Sequence, residues 1–226
     1  MGELDWPTTI VPVPDVGLDA FQTKIWARGR DLYRDLPWRH THDPYAIWVS
    51  EVMLQQTQVT RVDGRWQRWL ERFPSVEVLA HAAQADVLEE WQGMGYNRRA
   101  LSLMRVAQDI CEAGEFPREE RDLRALPGIG PATAAGIRAF AFDLPGVYLE
   151  TNVRSVFLHE LFPQEVGVPD RQLVPLVEAA CPGENVRGWY YALLDYGAWL
   201  MVCCPCLTQV ISISTVSISP SVSTDW

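Results

Sequence analysis

"LRALPGIGPATAAGIRAF", Leu123 to Phe140, is the stretch that decides the fold. Its apolar residues up to Leu126 recur at helical spacing, so a short amphipathic helix ends there. Pro127-Gly128-Ile129-Gly130 then makes a tight turn. Pro131 stands at the first position of the next helix, where its missing N–H costs nothing. The two glycines can adopt positive φ and let another backbone come close. The amides of the turn and of Ala132 and Thr133 then point outward together. Such donors at a helix N-terminus form an anion site suited to a phosphate. A plain corner between helices, with Gly kept for packing, is the competing reading.

Outward from this turn, helical periods dominate and no segment alternates cleanly over a strand length. Helices are expected at 18–36, from Pro44 through Glu51, and at about 58–72, 75–81, 84–92, 97–113, 118–125, 131–142, 151–162, 170–181 and 186–201. Asp43-Pro44 supplies an N-cap followed by Pro at the first helical position. Phe73-Pro74, Gly93-Met94-Gly95, Leu126-Pro127-Gly128 and Cys181-Pro182-Gly183 mark the breaks. The expected fold is all-α with short connections.

A chain of 226 residues, 48% hydrophobic and 21% charged, has an ordinary globular composition. It contains no run of eighteen apolar residues that would read as a membrane span. The first twenty residues carry no basic start, so a secretory signal is not expected and the chain is placed in the cytoplasm, at the nucleoid of a prokaryote. The net charge of −10 argues mildly against a nucleic-acid partner, although a basic face can coexist with acidic surface elsewhere. Lys24 is the single Lys, and most of the ten Trp are expected in the core.

Five cysteines are present. Cys111 and Cys181 fall on helical patterns and read as buried thiols. Cys203-Cys204-Pro205-Cys206 has the look of a ligand cluster, but no fourth ligand follows at a metal-like spacing, so no metal is expected. From Leu207 onward, Ser, Val, Ile and Thr replace the earlier pattern. This tail reads as disordered or non-native, or as an isolated aggregation-prone strand.

Two carboxylates stand out. Glu51 is the only charge between Tyr45 and Leu54, and it shares a helix row with Ile47 and Leu54. A helix so apolar is expected to be buried, which would strip water from Glu51 and make it a proton donor near neutral pH. A buried Glu satisfied by Gln55, Gln56 or Gln58 fits the same pattern. Glu150 lies just before a helix that Thr151 or Asn152 is expected to cap, and the positive end of that helix favours its ionised form. One carboxylate kept protonated and one kept charged would pair a general acid with a stabilising anion. Helix-start charge complementarity, or an ion pair with Arg154 at i+4, accounts for Glu150 equally well.

"LPWRHTHDPYAIWVSEVMLQQTQVTRV", "FPSVEVLAHAAQADVLEEWQGMGYNRRALSL", "LPGIGPATAAGI" and "LETNV" occur in the order found in adenine DNA glycosylases of the MutY type. The chain resembles that family, within the helix-hairpin-helix base-excision superfamily that includes endonuclease III, over about residues 20 to 202. The resemblance implies two helical lobes: a six-helix barrel over 37–135 ending in the hairpin, and a second lobe from 1–36 with 136–206, leaving 207–226 as the tail. It implies a monomer that acts on double-stranded DNA containing a mismatched or damaged base. Glu51 falls on the family's general acid and Glu150 on its catalytic Asp. Gln55 and Gln56 fall in the segment that enters the duplex, Arg39 and Trp48 near the adenine pocket, and Asn152 on an Asn at the site. Pro127, Gly128, Ile129, Gly130, Ala132 and Thr133 fall on the phosphate-binding hairpin.

Four departures qualify the resemblance. Glu150 is one methylene longer than the family's Asp. Ala132 stands where bifunctional relatives carry a Lys, so Schiff-base lyase activity is not expected. Met201 occupies the first ligand position of the family's four-Cys iron–sulfur loop, and Cys203, Cys204 and Cys206 do not restore its spacing, so no cluster is expected. The family's C-terminal domain that reads oxidised guanine is not expected here, where only the tail stands in its place. The implied activity is hydrolytic removal of a mismatched adenine. Excision of thymine or uracil opposite guanine, and a DNA-binding protein that has lost catalysis, are the alternatives.

Overall fold

The computed structural model describes residues 17–203, which are helical with no strand among them. Cys204, Cys206 and the 207–226 tail lie outside the described residues. The chain divides into two compact units. One comprises 33–148 with 181–190, and the other, among described residues, 17–32, 149–180 and 191–203. These boundaries differ from the expected 37–135 against 1–36 with 136–206. The first unit keeps the whole helix after the hairpin, because that helix is one wall of its core.

The expected helix over 18–36 stops earlier, as α1 (Leu18–Asp31), and Pro37–His40 form a 3-10 turn. α2 (Pro44–Leu54) begins as expected, with the Asp43 side chain accepting from the Tyr45 amide. The stretch 58–72 is broken into α3 (Val59–Val62) and α4 (Arg65–Arg72), because Gly64 takes φ +76° between them. Next come α5 (Val76–Ala80), α6 (Gln84–Glu90), α7 (Arg98–Ala113), α8 (Glu120–Ala125) and α9 (Pro131–Phe142). The chain continues through α10 (Thr151–Leu161), α11 (Asp170–Ala180) and α12 (Val186–Cys203).

In the first unit α2 packs along α9. α9 is built for this: Ala134, Ala135, Gly136 and Ala139 are buried and small, so the two helix axes can come close. Trp48, Trp66, Trp69 and Trp91 fill the core around them. Their polar atoms are satisfied where they are buried. Trp66 Nε1 donates to the Ala46 carbonyl and Trp69 Nε1 to the Tyr45 hydroxyl, which itself donates to the Phe73 carbonyl. In the second unit α11 packs against α1 and α10. There α1 and α12 meet at Gly29, where an added Cβ would lie 2.3 Å from the Ala192 Cβ.

Candidate active site

Tyr45 to Met53 is buried except at one position, Glu51, which is half-buried. The expectation of a wholly buried Glu51 is therefore corrected. Its backbone is enclosed, but its carboxyl group lies over a gap in the side-chain cover of α9. That gap is Gly136. A Cβ there would stand 2.4 Å from Glu51 Oε2 and 2.9 Å from Tyr148 Cε2. The Tyr148 hydroxyl donates to Glu51 Oε2 at 3.1 Å. Neither Gly136 nor Tyr148 stands out in the sequence. Gly136 looks like one more small residue in "TAAGI", and Tyr148 carries no motif of its own.

The end of α2 is held by Arg99. Its guanidinium donates to the carbonyls of Val52 and Gln55 on one side, and of Met94 and Gly95 on the other. Desolvation by burial pushes the Arg99 pKa down from its ordinary value, and the four carbonyls provide the compensating partners. Beyond this clamp the backbone enters the left-handed region at Gln56 (φ 54°) and Tyr96 (φ 50°). Tyr96 is 58% exposed and Gln56 is exposed as well. An aromatic ring held outward on a left-handed backbone is the third feature that the residue pattern does not announce. Gln55 is tied down instead: its Nε2 donates to Thr133 Oγ1 at 3.1 Å.

Thr133 is thereby placed as a buried tie between α2 and α9 rather than as an exposed ligand group. In the hairpin turn, Gly128 and Gly130 are exposed and Ile129 is buried as its anchor. Of the two glycines expected at positive φ, only Gly128 is there, at +83°; Gly130 is extended, at −82°. An added Cβ at Gly128 would meet Ser102 Oγ at 2.6 Å, and that hydroxyl donates to the Pro127 carbonyl. The first-turn amides of α9, at Ala132 and Thr133, are donors the helix does not use itself.

Trp48 is 1% exposed and meets the rings of Tyr45 and Phe116 edge-on, in the core. Arg39 is also buried. It donates to the Arg34 carbonyl and lies over the Tyr33 ring, while Arg187 holds its turn through the carbonyls of Arg39 and Thr41.

In the other unit Glu150, not Thr151 or Asn152, is the N-cap of α10. Oε1 accepts from the amides of Asn152 and Val153 at 2.7 and 2.9 Å, and Oε2 accepts from Asn152 Nδ2 at 3.2 Å. Three donors and a helix N-terminus favour negative charge on this group. The side chain of Arg154 turns instead to the Val168 carbonyl and Asp170. Asn152 is in turn backed by Gly197 of α12, where a Cβ would lie 2.3 Å from its carbonyl oxygen. The single Lys of the chain, Lys24, pairs with Glu160 at 2.6 Å.

Among the described residues, no three His, Cys, Asp or Glu side chains gather as a metal site. Met201 Sδ accepts from Ser155 Oγ, and the Cys203 thiol is exposed at the end of α12. A thioether in a protein hydrogen bond does not supply the thiolate that a cluster requires. No helix of the described residues is long and apolar enough to cross a membrane.

The chain is similar to known DNA glycosylases. The adenine DNA glycosylase of Mycobacterium tuberculosis (strain H37Rv) is 41% identical over 182 residues, covering 78% of this chain and 60% of that protein. That of Mycolicibacterium smegmatis is 37% identical over 171 residues, covering 73% of this chain and 58% of that protein. The chain thus spans a little over half the length of these curated relatives. A solved thermostable thymine-DNA glycosylase superposes with a TM-score of 0.71 at 25% identity, covering 80% of this chain and 86% of that one. Residues 49–173, which include Glu51, the hairpin and Glu150, match the family described as HhH-GPD superfamily base excision DNA repair proteins, and the chain belongs to that superfamily.

Proposed function

We propose that the chain is a monofunctional adenine DNA glycosylase that hydrolyses the N-glycosidic bond of a mismatched adenine in duplex DNA. The observation that carries this reading is Glu51: the one half-buried residue within the otherwise buried run Tyr45 to Met53, seated against Gly136 and hydrogen-bonded by Tyr148. Glu51 donates its proton to N7 of an extruded adenine, which weakens the bond from N9 to the sugar. That bond breaks with its electron pair going to the base. The carboxylate of Glu150, capped by two amides and oriented by Asn152, stabilises the sugar cation, and water adds, releasing a proton to solvent, to give an abasic site. Extrusion costs a few kcal/mol, least at a mismatch.

The hairpin turn would hold a backbone phosphate through its amides, and Tyr96 and Gln56 would occupy the space the base vacates. Trp48 and Thr133 act from behind, by fixing α2. The sole Lys is engaged by Glu160, which supports hydrolysis without a Schiff base. The protein acts as a monomer without an iron–sulfur cluster.

The test is single-turnover release of base from duplexes carrying adenine, thymine or uracil opposite guanine, scored by strand cleavage after alkali. Adenine release by wild type, and its loss in Glu51→Gln by about 10²–10⁴-fold with duplex binding retained, is the expected result. Release of thymine alone would favour the second reading, for which the likeness to the thymine-DNA glycosylase speaks.

A further inference from the structure

We propose that Tyr148 is the positioning residue of the general acid: its hydroxyl selects which oxygen of Glu51 gives up the proton and stabilises the carboxylate left behind. This rests on the reading of Glu51 as the acid.

The Tyr148 O–H donates to Glu51 Oε2. An oxygen that accepts such a bond serves as the carbonyl oxygen of a protonated carboxyl group, so the acidic proton is carried on Oε1. Once that proton moves to the base, the same hydrogen bond becomes charge-assisted and stronger. The hydroxyl is thus aimed at charge that develops during the reaction, and it is held there in advance. The Tyr148 ring is buried edge-on against Phe140 and Tyr190, with centroids 5.2 and 5.4 Å away. Its backbone amide donates to the Tyr190 hydroxyl, which is itself anchored on the Gly146 carbonyl. Gly136 removes the one side chain that would separate the pair.

The charged groups on the elements packed against α2 have partners of their own or are exposed. Arg138 of α9 engages Arg118, Pro145 and Glu119. On α4, Arg65 donates to the Gln92 carbonyl, and Arg68 and Arg72 pair with acids of α6. Arg61 of α3 is exposed, and Arg39 of the 3-10 turn donates to the Arg34 carbonyl.

Tyr148→Phe keeps the ring and removes only the hydroxyl. Single-turnover excision should fall about 10- to 100-fold, the value of one hydrogen bond to a charged group, with duplex affinity and melting temperature near wild type. A donor to the carboxylate favours its ionised form. Its loss should therefore move the alkaline limb of the pH–rate profile to higher pH. Independently of activity, the Glu51 carboxyl resonance, assigned by its disappearance in Glu51→Gln, should titrate at higher pH in Tyr148→Phe than in wild type. An unmoved Glu51 titration overturns the proposal, as does a fall in rate that only follows a fall in melting temperature. An inactive Glu51→Gln beside a fully active Tyr148→Phe removes the role of Tyr148 alone. An active Glu51→Gln removes the general-acid reading itself.

Discussion

Gly136 of α9 lies directly beneath the carboxyl group of Glu51, so close that a methyl group on it would sit 2.4 Å from Oε2. Gly136→Ala therefore tests geometry without altering any functional group. Within a helix, Ala is favoured over Gly by about 1 kcal/mol, which offsets part of the crowding. The variant should melt within about 4 °C of wild type. Its excision rate should fall about 100-fold, the cost of displacing a reacting group by an ångström. A variant with unchanged rate would show that the position of Glu51 against α9 is not required.

Glu150 should tolerate a change of length better than a change of charge. Glu150→Gln keeps an oxygen to accept from the amides of Asn152 and Val153, so α10 should remain capped and the fold largely intact. The charge is lost, and excision should fall about 10²-fold or more, as when a stabilising group for transition-state charge is removed. Glu150→Asp restores the residue of the family and should keep or raise activity. Excision by Glu150→Gln at the wild-type rate, measured in single-turnover assays, would leave Glu150 as a helix cap only.

Gly197→Ala should act on stability first. Its Cβ would meet backbone, the Asn152 carbonyl, which cannot rotate away as a side chain can. The cost is about 1–3 kcal/mol, typical of overpacking, and urea unfolding measures it. Because Asn152 also orients Glu150, excision at low temperature, where the variant stays folded, should fall as well.

Burial raises the hydroxyl pKa of Tyr45 and Tyr190 well above the ordinary value of 10.0. Their contribution to stability is fully present below the unfolded pKa, about pH 10. It is lost as pH rises further, because the unfolded chain then releases protons that the folded chain keeps. Each can take away up to about 1.4 kcal/mol per pH unit in that range. Urea midpoints should hold between about pH 8 and pH 10 as far as these groups are concerned, and Tyr190→Phe should flatten the fall beyond it.

Protein purified anaerobically should show no visible charge-transfer band and far less than stoichiometric iron. By the sequence resemblance Met201 falls on the first ligand position of the family's loop, and its sulfur accepts from Ser155. Iron analysis with a visible spectrum decides this, and a stoichiometric, coloured cluster would refute it.

Most helix limits follow from local chemistry and are legible in the order of residues alone. Pro44 and Pro131 open helices because their rings suit a first turn, and the apolar period over 98–113 can only be a helix side. Gly64 is harder to see, since a positive φ inside a helical period leaves no trace in the pattern. Glu51 stands out because charge in an apolar helix is conspicuous at the level of spacing. What spacing cannot encode is which side chain meets which across helices distant in sequence. Tyr148 reaches Glu51 over 97 residues, and Gln55 reaches Thr133 over 78. Likewise, Glu150 rather than its neighbours caps α10, because its longer side chain can fold back onto two amides. Local propensity and patterning are properties of the chain, so they determined the helices, the hairpin and the two carboxylates. The seat of Glu51 depends on how closely α2 and α9 approach, and that distance is set only when the small residues of α9 meet the apolar face of α2 in the folded core.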